Sequence, residues 1–230
     1  TSLSEQSISN ALLRLARSND QRVVFLMGHG EYETGSNAVR SYALLAKQLA
    51  DMGFSIENSN LLTAGLPANT GLLVIASPQS DYLAGELELI QQYLQQGGNL
   101  LWLMEPGSLH GLEKLATGFG IQFQQGVIID NNEELRRSLN IRHPSMIPVT
   151  EYFAHPVTDT LRYNTLFPTA RGLSPLAKDV IVENWQPSAL FNSQAESWSE
   201  SKGLEQAEAS FSLADGDIAG PITIAVALVR

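Results

Sequence analysis

Apolar runs and helix-like segments alternate along the first 125 residues. Unbroken apolar runs are typical of strands buried on both faces, and they occur at 22–27, 72–76 and 99–104. Shorter strand-like pieces lie at 54–57 and 121–123, and helical periodicity is found at 4–17, 36–51, 81–96 and 109–117. The resulting βαββαβαβ order predicts an α/β fold with a mostly parallel sheet and helices on both faces, as in flavodoxin-like folds.

The remaining sequence, from residue 126 to 230, has a less regular pattern. Charged and proline-containing sequence at 131–147 predicts a long loop, and short strand-like pieces follow at 165–170, 180–183 and 222–229. We expect these pieces to extend the same sheet or to form a small added layer. The chain is therefore predicted to be a single domain over 1–230, with a core at 1–125 and a loop-rich extension at 126–230.

Composition narrows the classes of function. The 230 residues are 43% hydrophobic, which is enough for a substantial core, and their formal net charge is −10. An acidic surface repels phosphate backbones and anionic headgroups, so nucleic acid and direct lipid binding are disfavoured. The chain has no cysteine, which excludes disulfides, thiolate metal sites and a thiol nucleophile.

The ends of the sequence suggest a piece of a longer protein. The first residue is Thr1 rather than methionine, and the last apolar run, 221–229, ends next to the final residue. That run has the length of a strand, and no apolar run approaches the ~20 residues that a membrane-spanning helix needs. We expect any membrane segments of the parent protein to lie outside these residues.

The loop after the first predicted strand is the main candidate for a ligand site. It contains Gly28, His29, Gly30 and Glu31, and in open α/β sheets ligands bind outside the carboxyl ends of the strands. A structural interpretation is equally open. The two glycines then only allow a turn with positive φ, and His29 and Glu31 are polar loop residues.

Two further polar residues follow predicted strands, Ser77 and Glu105, and a parallel sheet would bring them to the same edge as His29. A serine, a histidine and a carboxylate are the parts of a nucleophilic triad. However, Ser77 precedes a proline and lacks the G-x-S-x-G pattern of a strained nucleophile turn. We therefore assign these residues to ligand binding as a hypothesis and predict no catalytic residue.

Metal and cofactor sites are not indicated. The four histidines form neither an H-E-x-x-H motif nor a close pair, and Glu33 stands where a dinucleotide-binding loop needs its third glycine. Among the tryptophans, Trp102 is predicted to lie in the core, whereas the polar surroundings of Trp185 and Trp198 predict partial exposure and a possible contact surface.

An ordered set of short motifs resembles a known family, the auxiliary component of the gliding-motility type of ABC transporter. The landmarks are the Phe-Leu-Met-Gly-His-Gly-Glu loop at 25–31, and the segments 73–78, 86–106, 127–130, 155–158, 167–171, 197–198 and 220–221. No single motif is specific for the family, but the ordered set is, and it spans nearly the whole chain.

The resemblance implies a soluble, periplasmic domain of a bacterial inner-membrane protein, anchored by helices outside this segment and working beside an ABC permease and ATPase. The implied fold is also similar to class I amidotransferase-like and trehalose-utilisation-like α/β domains. Because the chain has no cysteine, amidotransferase activity is not implied. The family offers no established catalytic residues for His29 or Glu31.

We therefore expect a non-catalytic auxiliary or ligand-sensing domain of an ABC transport system rather than an enzyme, with a small molecule or glycan as the possible ligand and with no cofactor. One alternative is a hydrolase acting on a glycan or ester through His29 with Glu31 or Glu105. The other is a structural docking module for transporter or envelope partners.

Overall fold

The computed structural model describes residues 22–35, 40–176, 184–202 and 210–230. The predicted helix at 4–17, the start of the helix at 36–51 and the predicted strand at 180–183 lie outside the described residues. Contacts within the chain define two compact units. The first holds the described residues up to Met104 together with Leu109–Leu112, and the second holds Glu105–Ser108 and the described residues from Glu113 onward. A single domain over 1–230 stays a prediction.

The first unit is built on a four-stranded parallel sheet with the order β2-β1-β3-β4. Its strands are β1 (Arg22–Leu26), β2 (Ser55–Ser59), β3 (Thr70–Ala76) and β4 (Leu100–Leu103), and its helices are α1 (Ala43–Asp51) and α2 (Ala84–Gln95). β1 and β3 are neighbours at the centre of the sheet. After β1 the chain continues to β2 at one edge, and after β3 it continues to β4 at the other. Their carboxyl ends therefore form a topological switch point, where open α/β sheets bind ligands.

The two central strands are buried on both faces, as their unbroken apolar runs predict. Phe25 and Val74 belong to a cluster on one face, against which Leu45 and Leu49 of α1 pack. The alternate residue Ile75 is also fully buried. Burial of this kind contributes roughly 1.5–3 kcal/mol for each large apolar side chain.

The periodicity of helix α2 predicts an apolar stripe of Leu83, Leu87, Ile90 and Leu94, and the last three are buried. Leu83 precedes the helix and is 56% exposed. Tyr93 ties the helix to the start of β4, because its hydroxyl group donates to Asn99 O and accepts from Asn99 N, both at 3.0 Å. A Cβ at Gly98 would lie 2.3 Å from the Tyr93 ring. The close approach of the ring explains why glycine occupies this position.

The second unit consists of antiparallel sheets of short strands, with the orders β10-β13-β9-β5, β12-β11-β6 and β7-β8. Its strands are β5 (Ile121–Phe123), β6 (Val127–Ile129), β7 (Met146–Val149), β8 (Thr165–Pro168), β9 (Leu173–Pro175), β10 (Gln186–Asn192), β11 (Trp198–Glu200), β12 (Ile218–Ala219) and β13 (Thr223–Val229). Its helices are α3 (Glu113–Gly118), α4 (Glu133–Ser138) and a 3-10 turn at Leu213–Asp215. The chain is thus a mixed α/β protein with few helices.

Two predictions for this unit need correction, and one of its strands was not predicted. β5 does not complete the parallel sheet, since it pairs antiparallel with β9. The predicted loop at 131–147 contains α4, whose first turn is capped by the Asn132 side chain accepting from Leu135 N at 2.9 Å. β10 was not predicted because Pro187 interrupts its pattern, but β10 is an edge strand, where proline is tolerated.

Two of the three tryptophans differ from expectation, and Trp185 agrees with it. Trp198 is only 6% exposed, and its indole N–H donates to Glu200 Oε2 at 3.2 Å, so the prediction of partial exposure is wrong for it. Trp102 is half-buried because β4 is an edge strand of its sheet. Trp185 is half-buried, with its ring edge-to-face against Phe119.

Within the described residues, none of the helices has the length and apolar character needed to cross a membrane.

Candidate functional site

Main-chain hydrogen bonds join the two loops that leave β1 and β3. The carbonyl oxygen of His29 accepts from Gln79 N at 2.7 Å and from Ser80 N at 3.1 Å. Tyr32 N donates to Ala76 O at 3.0 Å. The switch point is therefore bridged by backbone, and the path of each loop is fixed by the other.

The two glycines of the first loop are required by the backbone. Gly28 and Gly30 have φ of +122° and +76°, a region that disfavours side chains. A Cβ at Gly28 would lie 2.4 Å from the side-chain nitrogen Nδ2 of Asn60, and one at Gly30 would lie 3.0 Å from Gln79 Cβ. Both glycines are exposed, so they present bare main chain at the surface.

His29 points inward, where it is 7% exposed. Its Nε2 lies 2.9 Å from Oε1 of Glu86, and its ring lies 4.2 Å from the Tyr82 ring. Glu86 is 1% exposed, and its other oxygen accepts from Leu83 N at 3.0 Å, which also caps the first turn of α2.

Glu31 is buried beside this pair. Its Oε2 accepts from His29 N at 2.8 Å, and its Oε1 accepts from the Tyr82 hydroxyl at 2.5 Å. Burial, together with the adjacent Glu31 carboxylate, raises the pKa of Tyr82 well above its usual value, so the hydroxyl group keeps its proton and acts as a donor. His29, Glu31, Tyr82 and Glu86 are called the strand-end network below.

The strand-end network satisfies its own carboxylates. Both oxygens of Glu31 and both oxygens of Glu86 accept hydrogen bonds from the protein. Buried carboxylates with such partners are stable, whereas removing a partner exposes the full cost of burial. In the part of the chain that the structure describes, no group of three or more His, Cys, Asp or Glu side chains is placed to hold a metal ion.

Ser77 is buried next to the network and has φ of +51°, a left-handed conformation that costs a non-glycine residue energy. Ser77 N donates to Leu103 O at 2.9 Å, and its hydroxyl group donates to the same oxygen at 3.4 Å. Arg40 Nη2 and Gln79 Nε2 both donate to Ser77 O. No sequence pattern indicated a strained turn at Ser77. The backbone is strained there, but the hydroxyl group is buried rather than presented to solvent.

The structure assigns Glu105 to the second unit, although the sequence grouped it with His29 and Ser77. The carbonyl oxygens of Glu105 and Gly107 accept from Arg171 Nη1 at 3.3 and 3.0 Å. Arg171 also donates to Gln124 O through Nε and Nη2, and burial lowers the pKa of its guanidinium group. A role for Glu105 in ligand binding stays a prediction.

Sequence reasoning missed Tyr82 and Glu86 as members of the site. Glu86 carried a usable signal, because it falls on the same helical face as Ile90 and Tyr93, where a carboxylate must be paired to be buried. Tyr82 lies outside the helix and carried no comparable signal.

Comparison with known proteins gives a family and a fold. The family model for an ABC-type uncharacterized transport system matches residues 20–229. Among solved structures, the mmIFT52 N-terminal domain is similar with a TM-score of 0.58 and 15% identity, covering 78% of this chain and 80% of that one. A ThuA-like protein from Bacteroides uniformis has a TM-score of 0.45 and 13% identity, covering 86% and 75%. The search of curated proteins finds no match. At such identities the first structure indicates a shared fold.

Proposed function

The chain belongs to the family of ABC-type uncharacterized transport systems, and we propose that it serves in one of them as a non-catalytic auxiliary domain. In this proposal it binds a ligand or a partner at the carboxyl edge of the parallel sheet and converts nothing. Its proposed partners are the ABC permease and ATPase subunits, and its proposed ligands are small molecules or glycans.

The observation that carries the proposal is the closure of the strand-end network. A general base must lie within hydrogen-bond reach of the substrate proton that it removes. Here His29 Nε2 is engaged by Glu86, and both Glu31 oxygens are engaged by His29 N and Tyr82. These groups hold the loop in place, which is the role of a scaffold.

What the loop leaves at the surface suits binding. Gly28 and Gly30 expose main chain, and Met27 and Leu83, which adjoin the network, are large exposed apolar residues. Apolar side chains beside exposed main chain can hold a ligand or a peptide without converting it. The binding site is therefore proposed to be the outer surface of the loop, supported from beneath by the network.

A hydrolase is the second candidate, and one observation favours it. Glu86 orients the His29 imidazole from a buried position, as a carboxylate orients the base of a triad, and the strained Ser77 lies in the loop that is hydrogen-bonded to the His29 loop. A glycan or ester substrate would have to displace the Ser77 hydroxyl group from Leu103 O.

A thermal-shift screen against sugars, peptidoglycan fragments, nucleotides and divalent metals tests the proposal, with turnover assays on every hit. A ligand at ~100 times its dissociation constant adds ~2.7 kcal/mol of stability. We expect binding without turnover, and we expect Gly30→Val to abolish the binding. The control is His110→Asn, which should keep it, because His110 lies in the same unit but pairs with Asp81 near the surface. Turnover that disappears in His29→Ala would establish the hydrolase instead.

The proposed location is periplasmic, in an inner-membrane protein whose anchors lie outside these residues, as the family resemblance implies. These 230 residues have no cysteine, so one cysteine introduced among them reports on location once any cysteine elsewhere in the full-length protein is replaced. Leu44→Cys in the full-length protein, at an exposed position, should react with a membrane-impermeant maleimide in intact cells. Labelling only after lysis would place the domain in the cytoplasm.

A further inference from the structure

Asp130, directly after β6 in the second unit, is a fully buried carboxylate that the protein satisfies only in part. Its Oδ1 accepts from Asn132 N at 2.9 Å. Its Oδ2 is buried as well, and it has no hydrogen-bond partner among the described residues. Most buried polar atoms in folded proteins are paired, so an unpaired carboxylate oxygen in the interior calls for an explanation.

Protonation of Asp130 does not supply one. A neutral carboxyl group with its proton on Oδ2 would be a donor, and no acceptor lies within hydrogen-bond distance of that atom. A proton on Oδ1 would face Asn132 N, which is itself a donor. The described residues therefore provide no partner for Oδ2 in either protonation state.

No positive side chain among the described residues compensates the charge of Asp130. Their ion pairs all involve other carboxylates. Arg136, in the helix that follows, has a buried Nε that is itself without a partner. Buried charges are paired or bound to metal ions, because an uncompensated one is costly. A water molecule donating to Oδ2 would leave the charge uncompensated, whereas a cation would not.

A second carboxylate lies close to Asp130. The paired ends of β6 and β11, Ile129 and Trp198, bring Asp130 next to the residues that precede β11, which include Glu196. Glu196 is exposed, and its Oε2 lies 3.5 Å from Asn132 Nδ2, at the long limit for a hydrogen bond. Asn132 thus contacts both acids, and Glu196 is held loosely enough to turn toward a ligand.

We propose that a calcium ion binds at this place, with Asp130 Oδ2 as the inner ligand and Glu196 as the outer one. Calcium accepts carboxylate, amide, main-chain and water oxygens in irregular geometry, so water can complete the shell around two carboxylates. The strand-end network offers no such site, since both oxygens of Glu31 and of Glu86 are already engaged.

Two carboxylates are fewer charged ligands than tight calcium sites have, so we expect a dissociation constant of about 0.1–1 mM, as in extracellular modules. The bound ion would join the end of β6 to the segment before β11, two parts of the chain that are far apart in sequence. It would therefore stabilise the second unit, which is built from short strands.

Melting curves at constant ionic strength test the site. We expect Ca²⁺ up to ~10 mM to raise the melting temperature. Asp130→Asn, which keeps the shape of the side chain and an acceptor for Asn132 N, should abolish this rise. Glu196→Gln, at an exposed position that the fold tolerates, should weaken Ca²⁺ binding about tenfold or more.

The matched control is Glu151→Gln, at another exposed acid of the second unit, which should keep the full response. No response of the unmodified protein to Ca²⁺, or a response that Asp130→Asn and Glu196→Gln both leave intact, would overturn the proposal. A response that Glu151→Gln weakens as strongly as Glu196→Gln would mean that Ca²⁺ only screens the acidic surface.

Terbium luminescence gives a second readout, because Tb³⁺ replaces Ca²⁺ at oxygen sites and emits when a nearby tryptophan is excited. Trp198 is buried at the start of β11, opposite Ile129 and so next to Asp130. We expect an emission that Ca²⁺ competes away, that Trp198→Phe reduces and that Asp130→Asn removes. An emission that Asp130→Asn and Glu196→Gln leave unchanged would place the ion elsewhere and refute the site.

Discussion

The two units of this chain solve the problem of buried polar groups in different ways. In the first unit, carboxylates, an imidazole and a phenol bond to one another at the ends of long apolar strands. In the second unit, the clearest case is Arg171, whose buried guanidinium group bonds to backbone carbonyl groups instead of to other side chains. Removing one group should therefore leave unpaired charges in the first unit and unpaired carbonyl groups in the second.

The largest expected effect comes from Glu86→Ala. It leaves His29 Nε2 and Leu83 N without their acceptor, and breaking a buried ionic or charge-assisted pair costs about 3–5 kcal/mol. The free energy of unfolding in urea measures the loss. Glu88→Ala, at an exposed position of the same helix, should change stability by only about 0.5 kcal/mol or less. Equal losses in the two variants would mean that the network does not hold the unit together.

Arg171→Met tests the second unit and should cost about 2–3 kcal/mol, because the carbonyl groups of Gln124, Glu105 and Gly107 lose their donors. Arg171→Lys should restore little, since an ammonium group lacks the planar fork. Hydrogen exchange should show lost protection in β5 and β9. Arg162→Met, at an exposed arginine, is the control, and a loss of protection confined to the first unit would contradict the expectation.

Alkaline pH should weaken the first unit through Tyr82. Its pKa is raised in the folded state above the usual value of 10.0, so above that pH the folded protein keeps a proton that the unfolded chain releases. Stability must then fall as pH rises, by about 1.4 kcal/mol per pH unit. Tyr82→Phe should lose this slope in alkaline urea titrations, and Tyr163→Phe, at a side chain that is 85% exposed, should keep it.

The smallest effect separates strain from hydrogen bonding at Ser77. Ser77→Gly relieves the left-handed backbone, whereas Ser77→Ala keeps that strain, and both lose the bond to Leu103 O. We expect the glycine variant to be the more stable by about 0.5–1 kcal/mol in urea unfolding, after allowing for its more flexible unfolded chain. If alanine proves the more stable, the conformation at Ser77 carries no strain.

Sequence reasoning succeeded where one physical signal was strong. Unbroken apolar runs predicted β1 and β3, because strands buried on both faces need apolar side chains at every position. The run at 99–104 predicted the strand β4 but not its place at the edge of the sheet, where it is only partly buried. It also placed His29 and Glu31 at the carboxyl end of β1, where the structure has them, and their role in ligand binding stays a prediction. It missed Tyr82, since a tyrosine before a helix has no periodic pattern that would reveal its partner.

The second unit was harder to predict for a physical reason. Its short strands bury few residues each, so alternation has little length in which to show, as in β11 and β12. Asn132 with two glutamates after it was a readable helix start, but prolines nearby favoured a loop. The antiparallel pairing of β5 depends on β9, about fifty residues later, and no local pattern specifies a contact over that separation.

The division of residues between the units limits how this chain can be taken apart. The polypeptide changes unit after Met104, after Ser108 and after Leu112. Leu109–Leu112 therefore belongs to the first unit, although the segment that connects it to β4, Glu105–Ser108, belongs to the second. Within it, Leu112 is fully buried and His110 O accepts from Tyr82 N. No single cut, fusion point or recombination event can therefore yield two complete halves. Expression of either unit alone therefore requires a redesigned connection.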